Sequence, residues 1–120
     1  MARVVAPRPL EAQVQRAIID RLRWAGCMAI HVPNAGKRSL AGGRRVKAEG
    51  MRPGFPDLAV YGPSGRHALL EVKRPGWTPS DLSATQRETH DRLRELGHHV
   101  AVVDSPEAAV AALKAAGWPV

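Results

Sequence analysis

The chain of 120 residues is 44% hydrophobic, which suits one globular domain and is too apolar for a disordered basic tail. Its single cysteine excludes an internal disulfide framework and a multi-cysteine zinc site, and no apolar run approaches the ~20 residues of a membrane span. The net charge of +7 is uneven, because residues 1–56 carry 11 basic and 3 acidic side chains, and this asymmetry predicts a polyanionic partner.

The first half of the chain predicts a helix, a strand and a long basic loop. Apolar residues at helical spacing predict an amphipathic helix over residues 10–25. The short apolar run 27–32 predicts a buried strand. Residues 33–53 lack any periodicity and contain four glycines, so we expect a mobile loop there, and residues 1–8 form a short basic arm.

The second half begins with a predicted β-hairpin. Residues 57–61 and 67–73 are apolar enough for strands, and Gly62-Pro63-Ser64-Gly65 between them is a strong turn signal. If the turn is symmetric about Ser64, Tyr61 faces His67 and Asp57 faces Glu71.

A helix, a strand and a last helix follow the hairpin. Ser83 and Gln86 fit a capping box at the start of the first of these helices. Residues 99–103 predict a strand, and Ser105 is the expected N-cap of the final helix. The order is therefore α-β-β-β-α-β-α in a single domain over residues 1–120, and the crossover between the last two strands should make them parallel.

The informative feature of the hairpin is charge on apolar strands. Glu71 and Lys73 share a face because side chains alternate, and the symmetric register adds Asp57. Two opposed carboxylates repel, and burying them unpaired costs several kcal/mol. A hard divalent cation such as Mg²⁺ would offset this cost. The alternative is an ion pair at a solvated rim, which contributes at most about 1 kcal/mol.

Glu11, at the start of the first predicted helix, has two interpretations. It lies beside the apolar stripe, where an acid could reach the edge of the sheet and complete a metal site. It could equally be an ordinary first-turn acid, which is stabilising near any helix N-terminus. His90 follows Gln86 by one turn, but no histidine spacing matches a zinc signature, and we expect His90 on the surface.

Together these residues resemble a known family. Glu11, Gly54-Phe55-Pro56-Asp57, Glu71-Val72-Lys73 and Gln86, in this element order, are similar to the PD-(D/E)XK nuclease superfamily, and most of all to its stand-alone VRR-NUC family. The resemblance covers roughly residues 10–116. It implies an α/β fold with a restriction-endonuclease-like core, in which helices flank a mixed four-stranded sheet.

The resemblance also implies roles for the residues. Asp57 and Glu71 would bind Mg²⁺, which Mn²⁺ could replace, with the backbone carbonyl of Val72 as a further ligand. Lys73 would orient the attacking water, and Gln86 would help to position the lysine and the water. Glu11 would support the metal directly or through water.

The family further implies a homodimer that cuts branched DNA such as four-way junctions. We expect a cytoplasmic protein of a bacterial or phage-infected cell, with no membrane contact. For the basic residues, backbone contact with DNA is favoured over a merely solvated loop. The expected DNA-binding residues are Lys37, Arg38, Arg44, Arg45, Lys47, Arg52 and Arg74. Two alternatives stay open, a DNA-binding module with a degenerate nuclease core and a sequence-specific restriction-type nuclease.

Overall fold

The computed structural model describes residues 10–33 and 50–120, in which a mixed four-stranded sheet is flanked by helices. The bounds are α1 (Glu11–Trp24), β1 (Met28–His31), β2 (Leu58–Tyr61), β3 (His67–Val72), α2 (Ala84–Glu95), β4 (His99–Val103) and α3 (Pro106–Ala115). This confirms the predicted order α-β-β-β-α-β-α. Residues 1–9 and 34–49, which hold the predicted basic arm and most of the predicted basic loop, lie outside the described residues.

The strands lie in the order β1-β2-β3-β4. The first two pairs are antiparallel and β3 pairs with β4 in parallel, as the crossover predicts. In the hairpin Tyr61 is paired with His67 and Leu58 with Leu70, so the symmetric register is confirmed. Continued by one residue, this register brings Asp57 opposite Glu71 at the end of the pairing.

Helices cover both faces of the sheet. On one face α1 and α3 form the main core, because Val14, Ile18 and Leu22 recur every fourth residue and bury a single stripe of α1. On the other face α2 places Leu93 against Leu69 and Val100. None of the described helices is long and apolar enough to cross a membrane.

The prediction that the first strand is buried is wrong for one of its faces. β1 lies at the edge of the sheet, and Ala29 alone points into the main core. Met28 and Ile30, on the opposite face, are 57% and 42% exposed. An apolar run of four to six residues has the same composition at the edge and in the centre of a sheet, so sequence alone does not separate them.

The segment before β2 is fixed to the N-terminal part of α2. The Thr89 hydroxyl donates a hydrogen bond to the Pro53 carbonyl at 2.9 Å, and the Arg52 Nε–H donates to the Thr89 hydroxyl at 3.3 Å. Gly54 has a φ of +76°, and a Cβ atom there would lie 2.7 Å from the carbonyl oxygen of Thr85. Only glycine allows this approach, which explains the Gly in Gly54-Phe55-Pro56-Asp57.

Substituting Gly54 with alanine should therefore lower the free energy of unfolding by more than the strain of a positive φ alone. Gly65 is the matched control, because its φ of +73° is nearly the same and a Cβ there would meet nothing within 4 Å. We expect Gly65→Ala to cost about 1 kcal/mol and Gly54→Ala about 1–3 kcal/mol more, from the clash with α2. Urea unfolding of the two variants measures the difference, and equal losses would contradict the role of the close approach.

Candidate active site

The predicted acidic residues meet where β3 ends and β2 begins. Asp57 directly precedes β2, and its carboxylate oxygen Oδ2 accepts a hydrogen bond of 2.8 Å from the Val72 N–H. Glu71, the last but one residue of β3, is 2% exposed. The N–H and C=O groups of a strand residue point to the same side, so the Val72 carbonyl also faces the Asp57 side. Two carboxyls and one carbonyl are thus brought together.

Burial and mutual repulsion perturb the two carboxyls. The pKa of Asp57 is raised to about 7, first by desolvation and then by the hydrogen bond and charge of Glu71, while the Val72 N–H and Lys73 act to lower it. Desolvation also raises the pKa of Glu71, although the hydrogen bond to Asp57 and the charge of Lys73 act in the opposite direction. Without a cation, the two carboxyls therefore share a proton near neutral pH.

Lys73 follows the pair and is nearly buried. Its ammonium donates hydrogen bonds to the Asp81 main-chain carbonyl at 3.3 Å and to Gln86 Oε1 at 3.4 Å. No ion pair within 4.0 Å joins Lys73 to Asp57 or Glu71 among the residues described. The alternative of an ion pair at a solvated rim is therefore wrong. Both of these acceptors are neutral oxygens.

Gln86 has both of its expected contacts. Its Oε1 accepts from the Ser83 N–H at 2.9 Å while the Ser83 hydroxyl accepts from the Gln86 N–H at 3.0 Å, which confirms the capping box. The same Oε1 also accepts from Lys73. The Gln86 side chain, which is part of the capping box of α2, therefore also fixes the first turn of this helix to Lys73.

Glu11 lies near the site but does not join the two carboxyls. It is exposed, lines an open cleft of about 500 Å³ together with Lys73, and its charge contributes to the raised pKa of Glu71. Across 10–33 and 50–120 no group of three acidic, histidine or cysteine side chains could hold a metal ion. Glu11 therefore lies at the cleft, apart from the two carboxyls.

The same cleft contains part of the loop after Lys73. Arg74 is exposed at its margin and Trp77 is half-buried in its wall. Arg52, the other expected DNA-binding residue within the structure, is exposed and holds Thr89 of α2. The remaining expected DNA-binding residues lie outside the described residues, namely Lys37, Arg38, Arg44, Arg45 and Lys47.

The prediction that His90 lies on the surface is wrong. His90 is 1% exposed, and its Nε2 lies 3.1 Å from Glu71 Oε1. Desolvation and the charge of Arg94 lower its pKa, although Asp91 and Asp57 oppose the shift. The available signal was the helical spacing from Gln86, which puts both side chains on one face of α2.

The oxygen-rich site fits a small divalent cation better than it fits a proton. Mg²⁺ is typically held by one or two carboxylates with water completing its shell, and the Asp57 and Glu71 carboxylates match this set. A cation between them would reverse the effect of burial, because both groups become more stable ionised than protonated. The shared proton thus indicates where positive charge is needed.

Comparisons with known proteins agree with this geometry. The VRR-NUC domain family matches residues 11–107 of the chain. The candidate nuclease p44 of Acyrthosiphon pisum secondary endosymbiont phage 1 is 29% identical over 97 residues, which is 81% of this chain and 85% of that protein. A solved structure described as a VRR_NUC domain has a TM-score of 0.62 at 26% identity, covering 87% of this chain and 94% of that one. Another, a VRR_NUC domain protein, has a TM-score of 0.64 over 90% and 88% of the two chains, and at 17% identity it shows the fold alone.

The raised pKa of Asp57 predicts how stability depends on pH when no metal is present. The folded pKa of about 7 exceeds the ordinary value of 3.8, so the shared proton stabilises the fold below about pH 4 and this contribution is lost as the pH rises through 7. With a chelator present, the free energy of unfolding should fall from about pH 5 to about pH 8 more steeply for the wild type than for Asp57→Asn. Urea titrations at both pH values measure the two slopes, and equal slopes would show that Asp57 ionises normally.

Proposed function

Because the chain belongs to the VRR-NUC family, we propose that it is a Mg²⁺-dependent endonuclease that hydrolyses phosphodiester bonds of DNA. The observation that carries the proposal is the pair of half-buried Asp57 and buried Glu71, followed by Lys73, whose hydrogen bonds among the described residues go to two neutral oxygens. A solely structural site has no need of two adjacent carboxyls that are largely removed from water. Metal-assisted phosphodiester hydrolysis uses a cation site of this kind together with a second positive group beside it.

In this proposal Asp57, Glu71 and the Val72 carbonyl hold the metal, and Glu11 acts through water. When bound, the ion lowers the pKa of a water ligand and neutralises charge on the scissile phosphate. Lys73 orients the attacking water and stabilises the negative charge that develops on the phosphate. Gln86 keeps the ammonium of Lys73 in place through its Oε1.

Substrate binding is assigned to the basic residues. Arg74 lines the cleft beside Lys73 and is exposed there, so it is assigned to contact with DNA phosphates. Arg52 and the basic residues from 37 to 47 add charge that follows the DNA backbone without reading bases. This distribution suits binding of the DNA backbone without base reading. Branched DNA is proposed as the substrate because the resemblance to the VRR-NUC family implies it.

Removing Lys73 or Glu71 should abolish cleavage and leave DNA binding largely intact. Lys73→Met and Glu71→Gln should lower the rate of Mg²⁺-dependent cleavage by at least about 10²-fold, because each removes a group on which the reaction depends. Lys114→Met is the matched control, since Lys114 is exposed on α3. Gel-based cleavage assays and fluorescence anisotropy measure the two properties. Wild-type protein that binds DNA but cuts none with Mg²⁺ or Mn²⁺ would indicate the degenerate binding module instead.

The substrate preference and the assembly form a second prediction. A four-way junction has two-fold symmetry, and its symmetric resolution calls for two active sites, as a homodimer would supply. We expect faster cleavage of a junction than of a linear duplex containing the same arm sequences, and a dimer mass by light scattering. Cleavage of both DNAs at one short sequence would identify a restriction-type enzyme. A monomer mass at assay concentration would contradict the proposed homodimer.

A further inference from the structure

The contact between His90 and Glu71 joins two ionisable side chains deep in the protein. Both side chains are almost completely buried, at 1% and 2% exposure, and 3.1 Å separates Nε2 from Oε1. His90 reaches the carboxylate from α2, whereas Asp57 reaches it from the beginning of β2. Glu71 is thus held from two sides by residues of different elements.

The two partners of Glu71 differ in the hydrogen bonds that they can make to a carboxylate. A carboxylate only accepts hydrogen bonds, so Nε2 of His90 is the donor in its contact with Glu71. Asp57 is itself a carboxyl, whereas the imidazole brings its own N–H group to the contact.

A flexible glutamate requires such a partner. The side chain has three rotatable bonds, and burial at 2% exposure leaves water little part in holding its carboxylate. The contact of His90 Nε2 with Oε1 restricts the orientation of the carboxylate. Partners outside the immediate metal ligands, which orient the ligands in this way, change metal affinity about 10–100-fold when they are removed.

We infer that His90 is a positioning residue that holds Glu71 in its metal-binding orientation by donating a hydrogen bond from Nε2. The inference rests on the proposed function, because it concerns the same metal site. His90 touches neither substrate nor metal in this role. Its effect is expected in metal affinity first and in catalysis only as a consequence.

The test compares variants that keep or remove the donor. His90→Leu fills a similar volume without an N–H group, and His90→Gln keeps one. We expect the Kd for Mn²⁺, measured by electron paramagnetic resonance of the free ion, to rise about 10–100-fold for His90→Leu and to stay within about threefold for His90→Gln. The Mn²⁺ concentration for half-maximal cleavage should shift with the Kd, and saturating Mn²⁺ should restore most of the rate.

Two controls separate positioning from packing. His99→Leu removes a partly buried histidine on β4 whose Nε2 has no hydrogen-bond partner within the described residues, and it should leave the Kd unchanged. Thermal unfolding and circular dichroism establish that each variant is folded at the assay temperature. If His90→Leu does not fold, His90→Met, which also lacks a donor, replaces it.

The outcomes distinguish this inference from the proposed function. Folded His90→Leu with the Kd of the wild type overturns the role of His90 and leaves the metal site intact. A Kd for His90→Gln as weak as that of His90→Leu overturns the hydrogen bond as its basis. Wild-type protein that binds no Mn²⁺ overturns the proposed metal site, and the inference with it.

Discussion

The proximity of two carboxyls that are largely removed from water is the constraint on which the rest of the site depends. Asp57 and Glu71 are brought together by the hairpin register, and neither can move away without breaking strand pairing or the hydrogen bond from the Val72 N–H. The fold therefore keeps an unfavourable arrangement that local structure does not require. In sites of this kind, the unfavourable free energy of the arrangement is retained until a ligand of opposite charge binds.

The charge distribution separates two tasks that a uniformly basic protein would combine. Residues 1–56 carry a net charge of +8, while the remaining residues hold 7 basic and 8 acidic side chains and include Asp57 and Glu71. Arg74 and Lys73 lie together at the cleft. Under the proposed function, a cation between the carboxylates would also remove the repulsion between this acidic pair and an approaching phosphate.

Much of this arrangement could be predicted, because it follows from local rules. Alternation and a symmetric turn were enough to bring Asp57 opposite Glu71, and the capping spacing identified Gln86. His90 was misassigned because its burial depends on how closely α2 approaches the segment before β2. That distance is set by the absence of a side chain at Gly54, and the hydrophobic periodicity of the sequence does not indicate such a close approach. The edge position of β1 was missed for a similar reason, since composition does not give strand order.

Helix α2 contacts the site at three points, and this has a consequence for how the site responds to change. Gln86 holds the lysine, His90 holds one carboxylate, and Thr85 lies against the segment that carries the other. A helix moves as one body, so a shift at any of these points is transmitted to the other two. Substitutions along its inner face should therefore show strong non-additivity in double-mutant cycles, because the groups of the site behave as one thermodynamic unit rather than as separate residues.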